Sequence, residues 1–198
     1  PFRIEDDDKN WADLAKFGAV LIEGEMTPAA IKQIQSINPH IIFIDVNTNI
    51  HNCNIVRNDF VEETSHILDN LYNLGHKNIV YIGGKSLVLD LDGKIGSEKN
   101  DLRELTYLSW MKLQQRPTAV VVGSDPMALG VYKAFSDAGV NIPDDISVVS
   151  FDDVDINRFL TPTLSSVYMN TEEMGKTAVS LAKDLITEDI QIPLTITC

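Results

Sequence analysis

Cysteine is nearly absent: Cys53 and Cys198 are the only two in 198 residues. Two thiols that far apart do not make a disulfide framework. No run of 18 apolar residues occurs, so the chain offers no helical membrane span. Basic residues are scarce as well, 16 Lys and Arg against 29 Asp and Glu, and the formal charge is -13. Phosphate backbones are gripped by cations, so these residues alone make a poor nucleic-acid surface. Neither GxGxxG nor GxxxxGK[ST] appears, and the Gly83-Gly84 pair is too little to argue for a nucleotide cofactor. His40, His51, His66 and His76 are scattered, with no HExxH and no cysteine partner, so no metal site is expected. No GxSxG or other nucleophile set is visible, and no catalytic residue is assigned.

What is present is a series of short, unbroken apolar runs. VLIE, HIIFID, NIVYIGG, AVVVG and ISVVSF alternate with segments of helical period. Strands that are apolar on both faces belong to parallel sheets covered by helices on each side. Thr27 followed by Pro28 is a helix start, with Ile31, Ile34 and Ile37 as the apolar stripe. Residues 60–75 form an amphipathic helix capped by Gly75, and residues 101–114 form another. Residues 85–100 are polar and glycine-bearing, and read as a surface loop. IPLTITC reads as a closing strand, with Pro193 tolerable at an edge. The class is α/β.

Ligands of open α/β sheets collect beyond the carboxyl ends of the strands. Three groups sit at such ends. Asp152 and Asp153 follow ISVVSF, where a carboxylate either meets a ligand or caps the following turn. Ser124 and Asp125 follow AVVVG; Asp125 reads as the cap of the next helix, and the Ser124 hydroxyl as a group that could meet the same ligand as Asp152. Arg103 stands in the first turn of its helix beside Asp101. A cation is misplaced at a helix N-terminus if surface charge is all that matters. Its rigid fork suits paired oxygens, from a carboxylate or a hydroxylated ligand.

LGHKNIVYIGG, DLRELTYLSWMK, the long stretch PTAVVVGSDPMALGVYKAFSDAGVNIPDDISVVSFDD, and TPTLSSVYMNTEEMGKTAV occur in this order. Together they resemble the effector-binding core of the LacI/GalR family of transcriptional regulators, over roughly residues 18–197. The segment IEGEMTPAAIKQI leans toward the branch that regulates use of galactosides and related oligosaccharides. The resemblance implies a two-lobed fold like that of periplasmic sugar-binding proteins, with three interlobe crossings near 57–60, 167–170 and 191–194. The first lobe would hold residues 1–58 completed by 169–192, and the second 59–168 completed by 193–198. It further implies that Arg103, Asp152, Ser124 and Asp101 contact a sugar, with Met169 and Tyr107 as lesser candidates and Asp125 as a structural cap. Ser124 stands where the family usually has asparagine. Family members carry another strand and helix where Gln114 runs almost directly into Pro117 here, so segments are expected to be missing at 114/115 and near the amino terminus.

The implied function is that of a cytoplasmic repressor's sensing domain. It would be a homodimer that binds a sugar effector, needs no cofactor and no membrane, and reads operator DNA through an N-terminal helix-turn-helix outside these residues. Two alternatives share some of the features. A periplasmic-type sugar receptor would carry a secretory leader and no DNA module; no leader is visible, although a chain beginning at Pro1 leaves room for a removed start. An enzyme acting on a sugar or phosphate through Asp152 and Arg103 would need a catalytic partner near both.

Overall fold

The computed structural model describes residues 10–46, 52–110, 117–187 and 193–197. The 114/115 junction and the expected break near the amino terminus lie outside them. In chain order the elements are β1 (Val20–Glu23), β2 (Glu25–Met26), α1 (Pro28–Ile37), β3 (Ile41–Ile44) and β4 (Asn54–Arg57). Then come α2 (Phe60–Asn73), β5 (Ile79–Ile82), β6 (Lys85–Leu89), β7 (Ile95–Asn100) and α3 (Leu102–Trp110). The remainder is β8 (Ala119–Val122), α4 (Asp125–Asp137), β9 (Ser147–Asp152), β10 (Ser165–Tyr168), α5 (Thr171–Ile186) and β11 (Thr195–Thr197). They form two compact units, residues 1–58, 85–99 and 170–198 in one, and 59–84 and 100–169 in the other.

The first unit is built on a parallel sheet of order β1-β3-β4-β11. Helix α1 starts as its residues dictate: the Thr27 hydroxyl accepts from Ala30 N at 3.3 Å, and Pro28 occupies the first helical position. Its apolar stripe packs Ile31 and Ile34 against Ile41, Phe43 and Ile55. On the opposite face, Ile42 and Val56 meet Met174, Ala178 and Leu181 of α5. Buried Asn38 ends α1 and locks the entry to β3. Its amide donates to the carbonyls of Leu14 and Phe17, at 3.0 and 2.8 Å, and its carbonyl accepts from His40 N at 2.9 Å.

The second unit repeats the plan with a parallel sheet of order β10-β9-β8-β5. Strand β8 shows why its sequence has no polar alternation. Ala119 and Val121 face a core shared with Phe60, Leu68 and Leu71 of α2 and Tyr107 of α3. Val120 and Val122 face another core, with Ala128 and Val131 of α4. Helix α2 closes with Leu74 as its cap residue and Gly75 at φ +103°, a backbone conformation that favours glycine.

Two expectations need correction. Residues 85–100 are not a loop: β6 and β7 join β2 in a three-stranded sheet of order β2-β6-β7 within the first unit. The Asp90 carboxylate accepts from Asp92 N and Lys94 N, both at 2.9 Å, and Gly93 takes φ +76°, which makes the turn. Polar β7 hides its strand character because most of its side chains are exposed; Val88 of β6 and Leu91 in the turn are buried. The closing strand does not pass to the second unit at 191–194. β11 pairs with β4, Thr195 opposite Ile55 and Thr197 opposite Arg57, so 193–197 complete the first unit. The chain changes unit after residues 58, 84, 99 and 169, four times where three were expected.

Phe43 is fully buried at the middle of the first unit's sheet. Phe43→Ala removes its contacts and leaves a cavity, and should lower stability by about 3–5 kcal/mol. A urea transition with an unchanged midpoint would show that this core does not hold the unit together.

Candidate ligand-binding site

Four of the expected residues converge at the carboxyl edge of the second unit's sheet. Asp101 begins the construction. Its backbone carbonyl accepts from Leu105 N at 3.0 Å, and its carboxylate accepts from Arg103 N at 2.9 Å, so it caps the first turn of α3. The same carboxylate takes the Arg103 fork on both oxygens, Nε at 2.7 Å and a terminal nitrogen at 2.8 Å. The other terminal nitrogen donates to the carbonyl of Gly123, at the end of β8, at 2.7 Å. The guanidinium carbon lies 4.5 Å from the centre of the Phe60 ring and 5.4 Å from that of Phe151.

The charge sits 18% exposed against a carboxylate 7% exposed. Burial alone would lower the Arg103 pKa, but the hydrogen bonds and charge of Asp101 outweigh it, with Tyr81 and Asp152 adding to them, so the pKa is raised. Arginine carries five N–H donors. Three of them are used by these bonds, and the Tyr81 hydroxyl lies close by as a further hydrogen-bonding neighbour. A cation at a helix start is thus explained by the carboxylate that also caps that helix.

Asp152 ends β9 opposite Tyr168 of β10, and its charge reaches Arg103. Its backbone takes φ +107° and Asp153 takes φ +50°, conformations that cost a non-glycine residue energy and turn the chain sharply at the sheet edge. Ser124 occupies the N-cap position of α4 with extended backbone, and its side chain makes no cap hydrogen bond.

Asp125 is not the cap expected of it. It is the first residue of α4, fully buried, and its carboxylate turns toward the next strands. One oxygen accepts from the hydroxyls of Ser150 on β9 and Ser166 on β10; the other accepts from Val154 N at 2.9 Å and the Asn157 amide at 2.6 Å. It ties the segment after Asp152 to two strands, which makes its role structural by another route. Tyr107 and Met169 both pack into the core. The Tyr107 hydroxyl donates to the Ile79 carbonyl at 3.0 Å, so this side chain is engaged in packing.

Sequence reasoning missed Tyr81, Phe60 and Phe151. Tyr81 stacks on Tyr107 with ring centres 5.8 Å apart. Its hydroxyl is buried beside the Arg103 guanidinium. Burial pushes its pKa up to about 12, with the Arg103 charge working against the rise. The available signal was the pair of glycines two residues on, which matters because a side chain at Gly83 would overlap this phenol. Among the described residues no cluster of His, Cys, Asp and Glu could hold a metal ion, and no helix is long and apolar enough to cross a membrane.

Residues 90–197 match the family model described as the periplasmic binding protein-like domain. The chain is 29% identical over 192 residues to the HTH-type transcriptional repressor MelR of Bacillus subtilis (strain 168), covering 83% of this chain and 56% of that protein. The chain belongs to the periplasmic binding protein-like domain family, in its LacI/GalR branch. This LacI/GalR domain is also 26% identical over 201 residues to the HTH-type transcriptional regulator GalR of Lacticaseibacillus casei, covering 88% of the chain and 61% of that protein. It therefore spans little more than half the length of these curated relatives. Among solved structures, a LacI family transcriptional regulator from Lactobacillus casei with bound sucrose shares its fold. The TM-score is 0.74 at 18% identity, over 94% of this chain and 78% of that one.

Asp125→Ala would leave two hydroxyls, an amide and a backbone N–H without their shared acceptor. It should cost at least about 3 kcal/mol, read as a fall in melting temperature, and Asp125→Asn, which keeps one acceptor oxygen, should cost less. A second expectation concerns alkaline pH. Tyr81 titrates near 12 in the fold and near 10 in the unfolded chain, so its contribution is complete below pH 10 and lost as pH rises through about 12. Tyr81→Phe should flatten that part of the stability–pH curve; an unaltered curve would contradict the burial argument.

Proposed function

We propose that this domain is the sensing core of a repressor, with its two units as the lobes, and that it binds a sugar at the Arg103 edge. The observation that carries the reading is the fixed guanidinium. Asp101, Gly123 and two aromatic rings hold it in place at the strand ends, within reach of the Asp152 charge. Sugar hydroxyls both donate and accept. An arginine fork beside the Asp152 carboxylate and the Ser124 hydroxyl offers donors and acceptors in one place. Nothing in this arrangement supplies a nucleophile with its base, and the matched relatives are regulators, so the enzyme alternative has no support. Regulators among the relatives also favour a repressor over a transport-type receptor.

In the whole protein, operator DNA would be read by a helix-turn-helix module outside these residues, and the protein would act in the cytoplasm. The charge of -13 favours that division of labour, since this domain would repel phosphate. A homodimer is proposed on the same reading. In the second unit Phe159 is 83% exposed and Ile156 51% exposed, apolar surface of the kind that a second copy covers. The sugar would act by binding one dimer conformation more tightly than another.

A thermal-shift screen with glucose, sucrose, lactose and cellobiose, followed by calorimetry, tests this. Asp152→Asn and Arg103→Lys should each weaken the sugar by about ten- to a hundredfold. Lysine is the better probe than alanine because it leaves buried Asp101 a cation. Unchanged affinity in both variants would overturn the assignment.

A further inference from the structure

We infer that Tyr168 is a specificity-determining residue of this site, an exposed ring at the sheet edge on which the C–H face of a bound sugar stacks. The inference deepens the sugar-binding reading above and rests on it. Tyr168 is the last residue of β10, and its Cα is paired with that of Asp152, the last residue of β9. Neighbouring strands lie about 4.8 Å apart. The ring is therefore rooted beside the carboxylate whose charge reaches Arg103.

The alternation of β10 decides which of its side chains a ligand can meet. Val167 and Met169 turn into the core with Phe60 and Phe151. Ser166 and Tyr168 take the other face of the strand. The Ser166 hydroxyl is fully engaged, donating to Asp125 at 2.7 Å and accepting from Asp153 N at 3.0 Å. Tyr168 lies two residues beyond that anchor and is 62% exposed, while its neighbour Met169 is buried. Of the two residues at the end of this strand, Tyr168 is the one with a surface to offer. Its root is also fixed relative to Asp152, because the Asp125 carboxylate holds both β10 and the segment that follows β9.

The groups already placed at this edge are polar: the Arg103 fork, the Asp152 carboxylate and the Ser124 hydroxyl. They address hydroxyls and leave the C–H faces of a sugar ring in water. Small-molecule sites combine a few placed polar groups with apolar and aromatic walls. The face of a phenol ring carries negative charge density, which attracts polarised C–H groups. A pyranose presents a patch of such hydrogens on any face that no axial hydroxyl obstructs. Stacking on Tyr168 thus adds a requirement that hydrogen bonds alone do not make. Sugars that differ in one axial hydroxyl differ in whether they can lie flat on the ring.

The test compares Tyr168→Ala with Tyr168→Phe by calorimetry, using sucrose, lactose, cellobiose and glucose. The alanine variant should bind the recognised sugar about tenfold more weakly, the loss of one aromatic contact. The phenylalanine variant keeps the ring face and should bind like the wild type. Both melting temperatures should match that of the wild type, because the side chain is exposed. Undiminished affinity in the alanine variant would overturn this inference alone. A phenylalanine variant as weak as the alanine one would also overturn it, since the hydroxyl and not the ring face would then make the contact. A clear fall in the melting temperature of the alanine variant would assign the ring to the fold and overturn it as well. Absence of sugar binding by the wild type would overturn the sugar reading and this inference with it.

Discussion

The Arg103–Asp101 pair is the constraint on which the carboxyl edge of the second unit's sheet depends. A single bidentate contact performs three tasks: it starts α3, it pins the end of β8 through the Gly123 carbonyl, and it fills the space between Phe60 and Phe151. Elements separated widely in the chain, from the first turn of α2 to the end of β9, meet on one cation. Breaking a buried pair by removing one partner is far more damaging than replacing both, because the survivor keeps its charge without compensation. The arginine is therefore part of the scaffold at this sheet edge. A rigid scaffold is what recognition requires, since a fork already fixed in place loses little entropy when a ligand arrives.

Asp125 does for the loop after β9 what Asp101 does for α3. A fully buried carboxylate is tolerable only when its oxygens are saturated with donors. Ser150, Ser166, Val154 and Asn157 provide four. Their convergence fixes the backbone just beyond Asp152 and Asp153, the two residues held at positive φ. Strain at these positions persists because the hydrogen bonds beyond them over-determine the path of the chain. The two carboxylates at 101 and 125 are thus anchors, and Asp152 projects from a segment anchored by one of them.

Much of this was legible from the sequence because the controlling forces are local. Unbroken apolar runs identified the parallel strands, Thr27-Pro28 marked a helix start, and Gly75 marked a helix end. Arg103 drew notice for its electrostatically wrong position. The failures share a different cause. Asp125 was read through its nearest helix, whereas its partners lie on other elements, 25 to 41 residues further along the chain. The β6–β7 hairpin shows little apolar alternation, and the strand assignment follows from pairing with β2, a nonlocal fact. Tyr81 drew no separate notice within NIVYIGG, because only coordinates reveal that its hydroxyl ends up buried beside Arg103.

The hairpin also governs the chain path at this edge. Backbone leaves the site at Gly83-Gly84, pairs within the first unit over residues 85–99, and returns at Asn100 to begin the Asp101–Arg103 cap. There it is held by the Lys99–Glu25 ion pair at 3.1 Å, with the carboxylate only 5% exposed, and by the bond from Thr27 N to the Leu89 carbonyl at 2.9 Å. Covalent continuity therefore joins both the Tyr81 glycines and the Arg103 helix start to a sheet of the other unit. The Gly83-Gly84 exit and the Asp101–Arg103 cap are thereby tied by the chain to residues 85–99, whose own hydrogen bonds fix where both segments begin and end.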